Sequence, residues 1–169
     1  VRTIDWNVSA RMGRPYVKKY VEERELTLML MVDVSPSMFY GTAGQLKKDL
    51  VAELCAVLAF SAVKNNDKIG LMLFTDRVEK FLPPKKGVSH VLRVVRELLH
   101  FEGKGSKTDM GHALQYLTKV MKKRCVVFLV SDFLTDNYKK PLQISAHRHD
   151  IIPIVITDPT EIELPDVGL

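Results

Sequence analysis

The chain has 169 residues, a formal net charge of +5 and a hydrophobic share of 46%, which fits one domain with a real core. No apolar run approaches the ~20 residues that cross a bilayer, so membrane insertion of this segment is not expected. A modest positive charge permits an acidic partner without demanding nucleic acid. The two cysteines, Cys55 and Cys125, both lie in apolar runs. They read as reduced, buried packing residues, which suits the cytoplasm. With no starting Met and no signal peptide, the chain reads as a piece of a longer protein, cut short at its carboxyl end.

Residues 1–25 read as a preceding segment and residues 26–169 as the main domain. Asp5 can cap a short helix through Arg11, with Gly13 just past its end. Residues 15–23 alternate loosely, as an edge strand or extended arm would, and Trp6 reads as a packing anchor. Residues 26–34 follow as a strand. Leu28, Met29, Leu30, Met31 and Val32 are all apolar, the signature of a strand buried on both faces of a parallel sheet.

A helix is expected over residues 45–64, with Leu46, Leu50, Leu54, Val57, Leu58 and Ser61 sharing a face and Leu54 inside. Residues 68–75 make a second buried strand. Residues 78–82 make a short antiparallel neighbour, joined through Asp76 and Arg77 and ended by Pro83 and Pro84. A helix over 89–101 turns Val91, Leu92, Val95, Leu98 and Leu99 inward. A loop rich in glycine and hydroxyls runs from Gly103 to Thr108, ahead of a helix over 109–122 with Met110, Ala113, Leu114, Leu117 and Met121 on one face. A strand over 125–130, a weaker helix over 137–148 and a strand over 151–156, interrupted by Pro153, complete the series. Strands alternating with helices imply an α/β fold in three layers, with a mostly parallel sheet and right-handed crossovers.

The chemistry collects at the carboxyl ends of these strands, where open α/β sheets place their ligands. Asp33, Ser35 and Ser37 follow the first strand, Thr108 precedes a helix and Asp132 follows the strand over 125–130. Taken singly, Ser35, Ser37 and Thr108 are ordinary turn and cap residues. Together with the two carboxylates they form an all-oxygen donor set suited to a hard cation, Mg²⁺ first, with Mn²⁺ or Ca²⁺ as substitutes. Such a set leaves coordination positions for water or an outside ligand. Asp109 reads as a first-turn carboxylate favoured by the helix dipole, Asp136 as a solvated loop charge, and His147 with His149 as a surface pair.

Asp33-Val34-Ser35-Pro36-Ser37, Thr108 in Thr-Asp-Met-Gly-His-Ala-Leu, and Asp132 resemble the metal-ion-dependent adhesion site of von Willebrand factor type A domains. Ile4-Asp5-Trp6, Tyr16-Val17-Lys18, Glu22-Glu23-Arg24-Glu25-Leu26, Leu58-Ala59-Phe60-Ser61-Ala62, Asn65-Asn66-Asp67-Lys68 and Val130-Ser131-Asp132-Phe133-Leu134 resemble, more narrowly, family 58 of the domains of unknown function. The likeness covers essentially the whole chain. It implies a bacterial, non-enzymatic interaction module whose partner offers Asp or Glu to the metal. It also implies a link with MoxR-type AAA+ ATPases or the proteins they act on. The expected sheet has residues 26–34 in the middle, between 68–75 and 125–130, with 78–82 antiparallel at one edge. Phe133 stands where many type A domains have Gly, which bears on the shape of that loop.

Two other classes compete. Phosphohydrolases with an aspartyl nucleophile resemble Asp-x-Asp at the end of the first strand, but here the second position is Ser35, so the general acid is missing. Neither a Gly-x-x-x-x-Gly-Lys-Ser/Thr loop nor a Gly-x-Ser-x-Gly elbow occurs. Nucleic-acid binding would fall to Arg2, Arg11, Arg14, Lys18 and Lys19, which are scattered among only Trp6, Tyr16 and Tyr20 as stacking partners.

Overall fold

A computed structural model of the protein describes residues 11, 25–39, 44–101 and 103–157, without the side chains of Ser37, Phe39 and residues 44–46. The expectations for the segment before residue 25, including the Asp5 cap and the Trp6 anchor, lie outside the described residues. The elements are β1 (Thr27–Asp33), α1 (Pro36–Phe39), α2 (Gly44–Lys64), β2 (Lys68–Phe74), β3 (Val78–Lys85), α3 (Val88–His100), α4 (Met110–Val120), β4 (Val126–Ser131), α5 (Lys139–Arg148) and β5 (Asp150–Val155).

They build a 5-stranded sheet in the order β3-β2-β1-β4-β5. β1 pairs in parallel with β2 and β4, β4 pairs in parallel with β5, and β2 with β3 is the antiparallel pair. β1 therefore lies in the middle, as the sequence leads one to expect. Its apolar residues divide by parity. Leu30 and Val32 face one core with α2 and α3, whereas Met29 and Met31 face the other with α4. Period-two alternation with both faces apolar is what a central strand under two helical layers requires. Among the described residues no helix is long and apolar enough to cross a membrane.

Three local readings need correction. The inward face of α2 is Val51, Ala52, Cys55, Ala59 and Ala62, while Leu50 and Val57 are exposed and Leu54 is only half-buried. The helix is apolar nearly all round, so spacing alone could not choose a face. Its buried face is mostly small side chains, while Leu50, Val57 and Phe60 face out. In α3 the buried residues are Val91, Val94 and Leu98, with Leu92 and Leu99 exposed. β3 continues through Pro83 and Pro84 to Lys85. An edge strand accepts prolines where no ladder donor is needed, and the register shifts between Ile69 and Leu71 opposite them. Gly70 sits at that bulge, where an added Cβ would come within 2.8 Å of the Leu82 carbonyl oxygen.

Both cysteines are free and buried, as expected. Burial pushes the Cys55 thiol up to about 12. The surface pair of histidines is also corrected, because only His147 is exposed. His149 is buried, its Nδ1 3.4 Å from Cys125 Sγ, and its Nε2 has no partner among the described residues. Burial, with Arg148 beside it, lowers the His149 pKa. The unfolded chain therefore takes up a proton, near the ordinary value of about 6.5, that native His149 resists. Stability is expected to fall as pH drops through that value. Denaturant titrations between about pH 8 and pH 5 should show a steeper loss for the wild type than for His149→Gln. Equal slopes would remove His149 as the cause.

Candidate metal centre

The parallel register brings the ends of β1 and β4 side by side. Asp33 is the last residue of β1 and is fully buried. Both of its oxygens are engaged: the Ser35 amide donates to Oδ1 at 2.9 Å and the Ser131 hydroxyl to Oδ2 at 2.9 Å. The Phe133 amide donates to that same Ser131 hydroxyl oxygen at 3.1 Å. Asp132 repeats the first device, its Oδ1 accepting from the Leu134 amide at 3.0 Å. Thus an aspartate at the end of β1 and another just past the end of β4 each close a turn on the amide two residues on.

Burial pushes the Asp33 carboxyl up from its usual range, against the hydrogen bonds from Ser35 and Ser131. The charge of Asp132 pushes the same way as burial. Ser35 is buried as well. Ser37 falls within α1, and its side chain lies outside the described residues.

Thr108 arrives from a different part of the chain. It is half-buried one residue before Asp109, which caps α4 by accepting from the His112 amide at 2.8 Å. Asp109 is thus a cap rather than a first-turn carboxylate. The carbonyl of Thr108 accepts from the Thr135 hydroxyl at 3.1 Å, which ties the loop after β4 to the loop before α4. The Asp109 amide donates to the Thr75 carbonyl at 2.9 Å, which ties that loop to the end of β2. All three loops carrying the expected residues therefore lie at the carboxyl edge of the sheet.

Phe133 has φ 58, in the left-handed region that Gly enters without cost. Its amide bond to Ser131 and an edge-on contact with Tyr138, ring centroids 5.7 Å apart, hold it there. The departure from glycine thus leaves the glycine-like backbone in place. Ser131 escaped the sequence reading as a site residue. Its signal was its place between a buried strand and Asp132.

The donors fit a hard cation. They are carboxylate and hydroxyl oxygens, and the two carboxylates are both buried, with the charge of Asp132 opposing that of Asp33; a divalent cation relieves such an arrangement. A separate cleft of about 540 Å³, lined by Glu25, Lys64, Asn65, Asp67 and Lys86 among others, opens at the amino ends of β1 and β2 and takes no part.

The uncharacterized protein Rv1480 of Mycobacterium tuberculosis is 32% identical over 172 residues, covering 99% of this chain and 54% of the relative. The chain therefore spans about half the length of the curated relative it matches. Among solved structures, the conserved hypothetical protein BatB from Bacteroides thetaiotaomicron superposes with a TM-score of 0.62 at 15% identity, over 79% of this chain and 68% of BatB. Proximal thread matrix protein 1 from the mussel byssus, solved with a zinc-occupied MIDAS motif, gives 0.58 at 19% identity, over 79% of this chain and 38% of that one. These likenesses show the type A fold. With its family profile matched over residues 1–169, the chain belongs to the family described as protein of unknown function DUF58.

Proposed function

We propose that residues 26–169 form a non-enzymatic protein-interaction module that binds a divalent cation through Asp33, Ser35, Ser37, Thr108 and Asp132. The observation that carries this reading is the pair of buried aspartates at the ends of β1 and β4, side by side in the parallel register and each fixed by hydrogen bonds from its own loop. The zinc-occupied MIDAS of the mussel protein supports it by analogy of fold. Asp33 and Asp132 supply the negative charge, and Ser35, Ser37 and Thr108 supply neutral oxygens that leave much of a +2 charge exposed. When bound, the cation supplies Lewis acidity toward a carboxylate from outside. The bonds from Ser35 and Ser131 hold Asp33 in one orientation, and the Leu134 amide does the same for Asp132. Ser35 in place of a second acid supports binding over hydrolysis.

The preferred metal is Mg²⁺, with Mn²⁺ or Ca²⁺ able to substitute. The partner is a protein offering Asp or Glu, a MoxR-type AAA+ ATPase or a protein it acts on, in the cytoplasm. A pull-down with the full-length protein tests this. Partner capture is expected in Mg²⁺ and not in chelator, with return on adding Mg²⁺ back. Equal capture in chelator would move the interaction to another face.

A further inference from the structure

The loop that carries Thr108 leaves α3 and, among its described residues, has no regular structure of its own before α4. Besides the Thr135 hydroxyl on the Thr108 carbonyl, a side chain on the edge strand holds it. Glu79 has only 7% of its side chain exposed, although glutamates are rarely buried without partners. Its Oε1 accepts from the Gly105 amide at 2.9 Å, the Lys104 amide at 3.2 Å and the Thr75 hydroxyl at 3.0 Å. Arg77 Nε lies 3.3 Å away. The Thr75 hydroxyl is also 3.0 Å from Asp76 Oδ1, so its single proton serves one carboxylate at a time.

Thr75 is fully buried, and its carbonyl takes the amide of Asp109, next to Thr108. The loop is thus tied at residues 104, 105 and 109 to the β2–β3 hairpin. The contact is close: a Cβ on Gly105 would overlap Thr75 Oγ1 and Asp76 Oδ1, and one on Gly103 would overlap the Val34 carbonyl oxygen. Gly103 therefore lies against the residue that follows Asp33. Burial would raise the Glu79 carboxyl, but the Thr75 hydroxyl, Arg77 and the two amides outweigh it, so it stays below the ordinary carboxylate range.

We infer that Glu79 is a positioning residue that fixes the loop 103–109 against the ends of β1 and β2 and so sets where Thr108 stands. That Thr108 is a metal ligand rests on the function proposed above. That Glu79 orders the loop does not. A carboxylate suits the task because one anionic oxygen can gather several converging donors, and hydrogen bonds to a charged acceptor are the stronger kind.

Glu79→Ala and Glu79→Gln test it, the second keeping an acceptor oxygen without the charge. In metal-free protein, amide exchange at Lys104, Gly105 and Asp109 is expected to speed up about tenfold or more in Glu79→Ala, with β1 and β4 still protected. Glu79→Gln should restore part of the protection. Mg²⁺ affinity by calorimetry should weaken by about tenfold or more in Glu79→Ala, beyond what any change in folded fraction explains. Unchanged exchange at those amides, or exchange that rises only in step with the whole sheet, overturns the inference. So does a loosened loop with wild-type Mg²⁺ affinity, since Thr108 would then be placed without Glu79. If the loop loosens but even the wild type fails to bind Mg²⁺, the positioning role stands and the metal reading falls.

Discussion

Replacing Asp33 by asparagine is expected to remove measurable Mg²⁺ binding while leaving the fold in place. Asp33 is a buried carboxylate rather than a surface one, so the choice of substitution matters. Alanine would strip the acceptor from the Ser35 amide and the Ser131 hydroxyl, at a cost of about 1–3 kcal/mol for each group left buried and unpaired. Against that, alanine also removes a charge that the interior and Asp132 both oppose. Asparagine keeps one acceptor oxygen, nearly the same shape and no charge. It should therefore unfold within about 1 kcal/mol of the metal-free wild type yet lack the anion that the cation needs. Calorimetry with Mg²⁺ and with Mn²⁺, beside denaturant titration of both variants, separates the two effects. If Asp33→Asn binds Mg²⁺ with wild-type affinity, the centre is not built on β1.

Phe74→Ala is expected to cost about 3–5 kcal/mol of unfolding free energy. Phe74 is fully buried at the end of β2, directly opposite Asp33 in the parallel register. It belongs to the core with Met31, Met110 and Leu114. Removing its ring would leave a void between the sheet and α4, beneath the loop that carries Thr108. Side chains locked between a sheet and a helix collapse only partly into such a space, so the cavity cost adds to the lost transfer energy. Guanidinium titration should show the shifted midpoint with an unchanged slope. A change under about 1 kcal/mol would mean that α4 does not close over β2 as described.

The apolar runs were the most legible part of the sequence. β1, β2 and β4 are short, uniformly hydrophobic and bounded by polar residues, and a strand buried on both faces leaves few alternatives. Asp33, Thr108 and Asp132 were legible as residues because each sits at a junction between elements. The order of the strands, by contrast, came from family resemblance, since period and propensity do not encode which strands pair.

The rest was hidden for physical reasons. α2 offered two apolar faces, so the inward one was set by the close approach that Ala52, Ala59 and Ala62 permit. Ser131 and Glu79 carry no local signature. Ser131 meets Asp33 across 98 positions of sequence and Glu79 meets Gly105 across 26, so their roles exist only once the sheet has formed. His149 looked polar and exposed next to His147. Its place at the head of β5 turned it toward Cys125.

The division of β1 by parity has one more consequence. Each residue of this strand answers to two neighbours at once, Leu30 to Leu71 and Phe128, Val32 to Leu73 and Val130. A slip of one residue in the pairing register of β1 would exchange the methionine side for the leucine and valine side along the whole strand. It would also turn the aspartate away from Ser131. Loops around the centre can lengthen without this effect. The strand has no such tolerance, so the same error that scrambles both cores would dismantle the centre.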